Sequence, residues 1–231
     1  MIFIQLGAGS GDLDPRLNFR DGFTEFVKNS KSNNKEIYLV EANPSNIENL
    51  KKCWSSYPNV KIFEIGIVPN NVKNEFLSFY YSDGDKPTFP TFSLDYDFVK
   101  KHHPDDKKIK KKEIKVMKIS DFLSNFYKKK IDFLAIDLEG VDYQILDDLD
   151  FDRYEIENLS FEYIHLSKNE KKNIVKKLNN LGYSYYGFGL DVNNYDYFFK
   201  KKKNNFNRFL SKFLHLISNK HLKYLNKFIL K

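Results

Sequence analysis

Ile2-Phe3-Ile4-Gln5-Leu6-Gly7-Ala8-Gly9-Ser10-Gly11 is an apolar run that breaks into glycines at alternate positions. The apolar stretch reads as a buried strand, and the glycines as the tight turn that ends it. A loop of this kind lets backbone amides approach a ligand closely. A helix after it turns its free amides and the positive end of its dipole toward the same place. Working outward, residues 19–30 are expected to form that helix, and Glu36-Ile37-Tyr38-Leu39-Val40-Glu41 a second strand.

Pro44-Ser45-Asn46-Ile47-Glu48 opens the next helix, with Ser45 and Glu48 at capping-box spacing. Val60 to Ile67 reads as one strand and Phe76 to Tyr81 as another. Residues 82–112 hold Gly84, Pro87, Pro90, Pro104 and a run of lysines, and are expected to be a long connection or lid. Ile114-Lys115-Val116, Ile131 to Asp137 and Leu159 to Ile164 return to strand character. Ser167 and Glu170 repeat the capping-box signal before Ile174, Leu178 and Leu181, and Gly182 ends that helix. Tyr183 to Tyr186 and Tyr195 to Phe199 read as a final antiparallel pair. Strands alternating with helices predict an α/β, mostly parallel sheet with a terminal antiparallel strand.

The 231 residues suffice for one domain with a real core. The single cysteine, Cys53, excludes an internal disulfide and a Cys-rich metal site. The first residues lack a basic segment and a long apolar stretch, so a cytoplasmic location is expected, with peripheral membrane contact left open. The net charge of +7 is unevenly spread: residues 200–231 hold ten Lys or Arg and no Asp or Glu, and the rest of the chain is slightly acidic. The expected division is therefore a domain over 1–199 and a basic amphipathic helical extension over 200–231. The extension reads either as a surface that packs on protein, including a second copy, or as a helix lying at an anionic membrane. The neutral body argues against nucleic acid as the main partner.

Gly7, Gly9 and Gly11 follow a Gly-x-Gly-x-Gly spacing. A dinucleotide fingerprint needs its third glycine one residue later, where Asp12 stands, and this favours S-adenosyl-L-methionine over a nicotinamide cofactor. Glu41 ends the second strand, where a doubly wound sheet places a ribose and a carboxylate can accept from both hydroxyls.

Three segments resemble the FkbM-type methyltransferases: Phe3 to Asp12, Val40-Glu41-Ala42-Asn43-Pro44, and Ile131-Asp132-Phe133-Leu134-Ala135-Ile136-Asp137-Leu138-Glu139-Gly140. The resemblance covers about residues 2–199. It implies a Rossmann-like class I methyltransferase fold, S-adenosylmethionine as methyl donor, and a hydroxyl of a sugar, glycan or related small molecule as acceptor. It further implies that Gln5 and the loop Gly7, Ala8, Gly9 and Gly11 hold the methionine end, that Glu41 and Ala42 meet the ribose, and that Ile65 passes beside the adenine. Asp137 is expected where the fourth strand opens into the site. Gln5 stands where many methyltransferases carry an acid, and Ala135 where a lysine is common.

Methyl transfer to a hydroxyl needs the oxygen held in line with the methyl and a base to take its proton. The candidates are His102, His103, Asp137, Glu139, Glu162 and His165. A lid over 82–112 would carry His102 or His103 to the methyl group. Asp137 and Glu139 are expected on opposite sides of a strand end, and His165 as a structural residue. Asp137 with Glu162 has the oxygen chemistry of a divalent-metal pair, but a hydrogen-bonding role is preferred and no metal site is assigned. The rival readings are a nucleotide-linked oxidoreductase and a degenerate cofactor-binding module whose tail mediates assembly.

Overall fold

A computed structural model describes residues 1–13, 20–32, 34–82, 91–189 and 195–201. Its elements in chain order are β1 (Ile2–Leu6), α1 (Gly22–Asn29), β2 (Glu36–Val40), α2 (Pro44–Cys53), β3 (Val60–Phe63), β4 (Gly66–Val68), β5 (Phe76–Ser82), β6 (Phe92–Ser93), α3 (Tyr96–His102), β7 (Ile109–Lys118), α4 (Ile119–Ser124), β8 (Lys130–Ile136), α5 (Asp142–Asp148), β9 (Glu155–Glu162), α6 (Lys168–Asn180), β10 (Tyr183–Phe188) and β11 (Asp196–Lys201).

Seven strands form one sheet in the order β3-β2-β1-β8-β9-β11-β10. The first five pair in parallel. β11 runs antiparallel to β9 on one side and to β10 on the other. The mostly parallel sheet with a terminal antiparallel strand is therefore present. The chain leaves β1 toward β2 and β3, then returns to β8 on the opposite side. That reversal opens a crevice at the carboxyl ends of β1 and β8, the place where sheets of this kind bind ligands.

β1 is buried along its whole length, which is why it reads as a continuous apolar run. Ile4 and Leu6 face a core with Leu134, Ile136, Phe122 and Ile145. Phe3 faces the other side, with Phe23, Val27, Leu39, Leu50 and Trp54. Full burial of one such side chain contributes about 1.5–3 kcal/mol, so this sandwich holds the glycine loop on a rigid base.

Three local expectations need correction. The strand expected over Val60 to Ile67 is two strands: β3 belongs to the main sheet, and β4 joins a smaller sheet of order β4-β7-β5-β6. A Cβ at Gly66 would lie 2.5 Å from the Phe79 ring, so glycine lets β4 close onto β5. Second, the described part of 82–112 is not a loose connection but contains β6, α3 and the start of β7. The lysine run enters β7, where Ile114 and Val116 turn inward toward Val68 and Phe79 while the lysines stay in water. Gly84, Pro87 and Pro90 lie outside the described residues. Third, α2 is capped by Asn43, which accepts from the Ser45 amide at 3.0 Å, and Glu48 instead pairs with Lys52 at 2.7 Å. Pro44 occupies the first helical position, where its missing N–H costs nothing.

The second capping box forms as expected. The Glu170 carboxylate accepts from the Ser167 amide at 2.8 Å, and Ser167 Oγ accepts from the Glu170 amide at 3.3 Å. The helical tail expected over 200–231 lies outside the described residues from 202 onward. Among the described residues, no helix is long and apolar enough to cross a membrane.

Candidate functional site

The carboxyl ends of β1, β2 and β8 border a cleft. Gly7, Gly9, Glu41, Ala42, Ile65 and Asp137 line it, together with Asn43, Asn46, Phe92 and Glu139. Gln5, Ala8 and Gly11 stand behind it rather than in its lining. Ala8 is buried in the core beside Phe23 and Leu50. Gly11 packs on α2, where a Cβ would meet Cys53 Sγ at 2.9 Å. Gly7 has φ +81°, and a Cβ there would sit 1.7 Å from the Asp137 carbonyl oxygen. Glycine at this position therefore brings the first and fourth parallel strands together at the cleft.

Glu41 organises the β1–β2 side. Its Oε2 accepts from the Gly9 amide at 2.7 Å, and its Oε1 accepts from the Asn43 amide at 2.7 Å and from Asn46 Nδ2 at 3.2 Å. One carboxylate thus ties the glycine loop to the start of α2. Burial raises its pKa, and the bonds from Asn43, Gly9 and Asn46 oppose that rise. Gln5 carries no charge, but its Nε2 donates to Asp21 Oδ1 at 3.0 Å, so a carboxylate does stand behind the loop. Asp21 also caps α1 by accepting from the Thr24 amide at 2.9 Å and from the Thr24 hydroxyl. Because Asp21 can only accept, the Gln5 amide nitrogen must face it. Gln5 Oε1 is left buried without a hydrogen-bond partner.

The β8–β9 side is built differently. Asp137 follows β8, and its Oδ1 is sealed from solvent without a hydrogen-bond partner. Burial pushes its carboxyl well above the usual range, and Glu162, then Glu139, Asp142 and Asp196, add to the rise. Asp142 fastens the turn after β8: it accepts from the Leu138 amide at 2.8 Å and the Gly140 amide at 3.2 Å.

Glu139 sits in that turn at φ +51°, a conformation that costs a non-glycine residue roughly 1–2 kcal/mol. Its carbonyl accepts from Ser93 Oγ at 2.6 Å, which fastens the turn to β6. Asp137 and Glu139 both line the cleft, contrary to the expectation that they face opposite sides. The strand ends at Ile136, so its two-residue alternation no longer governs them.

Glu162, at the end of β9, lies 3.4 Å from His165 Nε2. His165 is therefore part of this cluster, whereas the sequence suggested only a structural role. The Phe98 ring packs 4.5 Å from the His165 ring, and the His102 ring is 5.6 Å from it. Burial lowers the pKa of both imidazoles. Glu139 and Asp142 partly oppose this at His165, while the neighbouring positive charges of His165, Lys101 and His103 reinforce it at His102. His102 reaches the cluster from the last turn of a packed helix, not from a lid. His103 ends that helix, its amide donating to the Val99 carbonyl at 2.8 Å.

Of the two buried acceptors without a partner, Gln5 Oε1 and Asp137 Oδ1, only the second belongs to a residue that lines the cleft. A ligand ammonium group brings three donors and suits that position. With the glycine loop and Glu41, the donor set fits an amino-acid nucleoside such as S-adenosylmethionine.

A family model described as "Methyltransferase FkbM domain" matches residues 5–185. No curated protein sequence gives a significant match. Several solved structures are similar at low identity. A methyltransferase-like protein of Streptococcus mutans in complex with SAH has a TM-score of 0.44 and 10% identity, covering 87% of this chain and 88% of that one. Precorrin-6y C5,15-methyltransferase from Geobacter metallireducens gives 0.43 and 14%, covering 88% of this chain and 80% of its own. Aeropyrum pernix fibrillarin with natively bound S-adenosyl-L-methionine gives 0.41 and 11%, covering 86% of this chain and 64% of its own.

Proposed function

The chain belongs to the FkbM methyltransferase family, with S-adenosylmethionine as its cofactor, and we propose that it methylates a hydroxyl of a sugar, glycan or related small molecule. The bound cofactor supplies an electrophilic methyl group on a sulfonium. Gly7, Gly9 and Glu41 hold the cofactor, with the Asp137 carboxyl as an acceptor for its ammonium. The acceptor hydroxyl enters beside Asp137, Glu139 and Glu162. His102 takes its proton as the new oxygen–carbon bond forms and the carbon–sulfur bond breaks.

What carries this reading is the continuity of one cleft, with the glycine loop and Glu41 on one side and Asp137 and Glu139 on the other. His102, whose imidazole is held toward the neutral form by burial and whose ring lies 5.6 Å from that of His165, has the right chemistry for a hydroxyl proton. The basic extension after residue 199 remains, in this proposal, a contact surface for protein or an anionic membrane. The oxidoreductase alternative is not favoured by the family match.

The test is to incubate the full chain with isotope-labelled S-adenosylmethionine and a panel of sugars, glycans and matched amines. The expected product is a methyl ether, seen as a mass gain with stoichiometric S-adenosylhomocysteine. Methylation of amines alone would overturn the hydroxyl assignment. Calorimetry with S-adenosylmethionine and NAD in parallel should show binding of the first only.

A further inference from the structure

We propose that Ser93 is a positioning residue: its hydroxyl anchors α3, and with it His102, to the turn that follows β8. The proposal deepens the hydroxyl-methylation reading and rests on it for the role of His102.

Ser93 ends β6 and is buried. Its Oγ donates to the Glu139 carbonyl at 2.6 Å and accepts from the Asp95 amide at 3.0 Å. A hydroxyl has one proton to give and lone pairs to accept with, so a single atom serves both bonds. Asp95 is the next link. Its Oδ1 accepts from the amides of Asp97 at 2.9 Å and Phe98 at 3.1 Å, which caps α3. The bonds therefore run from the cleft wall, through one buried oxygen, to the start of the helix whose last residue is His102.

Packing follows the same line. The Phe98 ring lies 4.9 Å from the His102 ring and 4.5 Å from the His165 ring. A Cβ at Gly140 would come 3.4 Å from Phe98 Cδ2 and 3.7 Å from Ser93 Oγ, so the helix and Ser93 close on one turn. α3 has only seven residues. A helix that short does not hold itself in water, so its placement depends on such anchors. The turn has a second fastening, because Asp142 accepts from the Leu138 and Gly140 amides. Loss of the Ser93 hydroxyl should therefore free the helix rather than the cleft wall, and disturb proton removal rather than cofactor binding.

The experiment compares the full chain with Ser93→Ala in two ways. First, chain with isotope-labelled histidine is titrated under nuclear magnetic resonance, with His102 assigned by the signal missing from His102→Ala. In wild type, burial and the positive charges of His165, Lys101 and His103 hold His102 toward the neutral form. In Ser93→Ala its titration should move up toward that of free histidine. Ser167→Ala, which removes a helix cap elsewhere, should leave it in place.

Second, single-turnover methylation of the sugar panel is measured at saturating cofactor. Ser93→Ala should slow it about 10-fold, since small displacements of a reacting group are costly, while calorimetry shows unchanged cofactor affinity. In the His102→Ala background the same substitution should cost less than about 2-fold, because a residue that acts through His102 has nothing left to act on. Ser93→Thr, which returns the hydroxyl, should recover most of the rate. Thermal melts establish folding. If Ser93→Ala does not fold, Ser93→Cys, which keeps a weak donor of similar size, should show the same changes to a smaller degree. An unmoved His102 titration in the folded variant, or equal rate losses with and without His102, overturns the proposal. A moved titration in a chain that methylates none of the sugars supports the anchoring and removes the hydroxyl reading instead.

Discussion

The two sides of the cleft use their carboxyl groups differently. On the β1–β2 side, the Glu41 carboxylate takes up the amides of Gly9 and Asn43, and Asp21 takes up Gln5 and Thr24. On the β8–β9 side, Asp137, Glu139 and Glu162 converge, and the Asp137 carboxyl is pushed far above its usual range. The first side is a finished scaffold whose geometry exists before any ligand arrives. The second gathers carboxyl groups whose charges act on one another, as is common where a proton or a substrate is handled. On the proposed reading, the first wall serves the cofactor and the second mainly the acceptor, with Asp137 reaching both.

The largest effect should come from Gly7→Ala, since Gly7 joins the walls. Its Cβ would overlap the Asp137 carbonyl, so cofactor affinity measured by calorimetry should fall by more than about 100-fold, the scale of several lost hydrogen bonds. Retained affinity would mean that the walls are not coupled through this contact. Next is His102→Ala, which should lower the single-turnover rate by about 100-fold, a general-base effect, while cofactor affinity stays within about 2-fold. An equal loss of affinity would erase the division between the walls.

Glu41→Gln tests the other wall. It leaves one loop amide facing a donor, so cofactor affinity should fall about 10-fold, with the rate at saturating cofactor nearly intact. A smaller effect is expected from Ser167→Ala, which lies on neither wall. Losing the cap should cost about 1 kcal/mol and lower the melting temperature by about 2–4 °C without changing cofactor affinity. Smallest is a pH effect. Burial raises the folded pKa of Glu41, so its contribution to stability is fully present below the ordinary glutamate range and fades as pH rises through the raised value. The difference in melting temperature between wild type and Glu41→Gln should shift accordingly between pH 4 and pH 7, and a flat difference would contradict it.

The parts legible in the sequence were those encoded within a few residues. The strand before Gly7, the acid that ends β2 and the Ser167–Glu170 box all follow from short-range chain geometry. Asn43 as a cap was also legible in principle, since Asn followed by Pro is a helix-start signal, yet the Ser45–Glu48 spacing competed with it. The β6–α3–β7 region was misread because a lysine run looks like a solvated loop until Ile114 and Val116 find Val68 and Phe79. His165 and Glu139 were candidates by residue type and motif, but nothing in the sequence placed them side by side. They meet because β8 and β9 pair in parallel, with Ile136 opposite Phe161, which brings the residues after β8 beside Glu162.

By itself, then, the sequence determined the α/β pattern, the glycine loop and membership of a methyltransferase family, because strand alternation, turn chemistry and motif spacing are properties of neighbouring residues. Only the tertiary structure decided that Glu41 is already bonded to the loop, that Asp21 supplies the charge Gln5 lacks, and that two glutamates and a histidine share one corner of the cleft. Those outcomes depend on burial and on charges brought together from distant parts of the chain, and the energy of a charge is set by its surroundings in space.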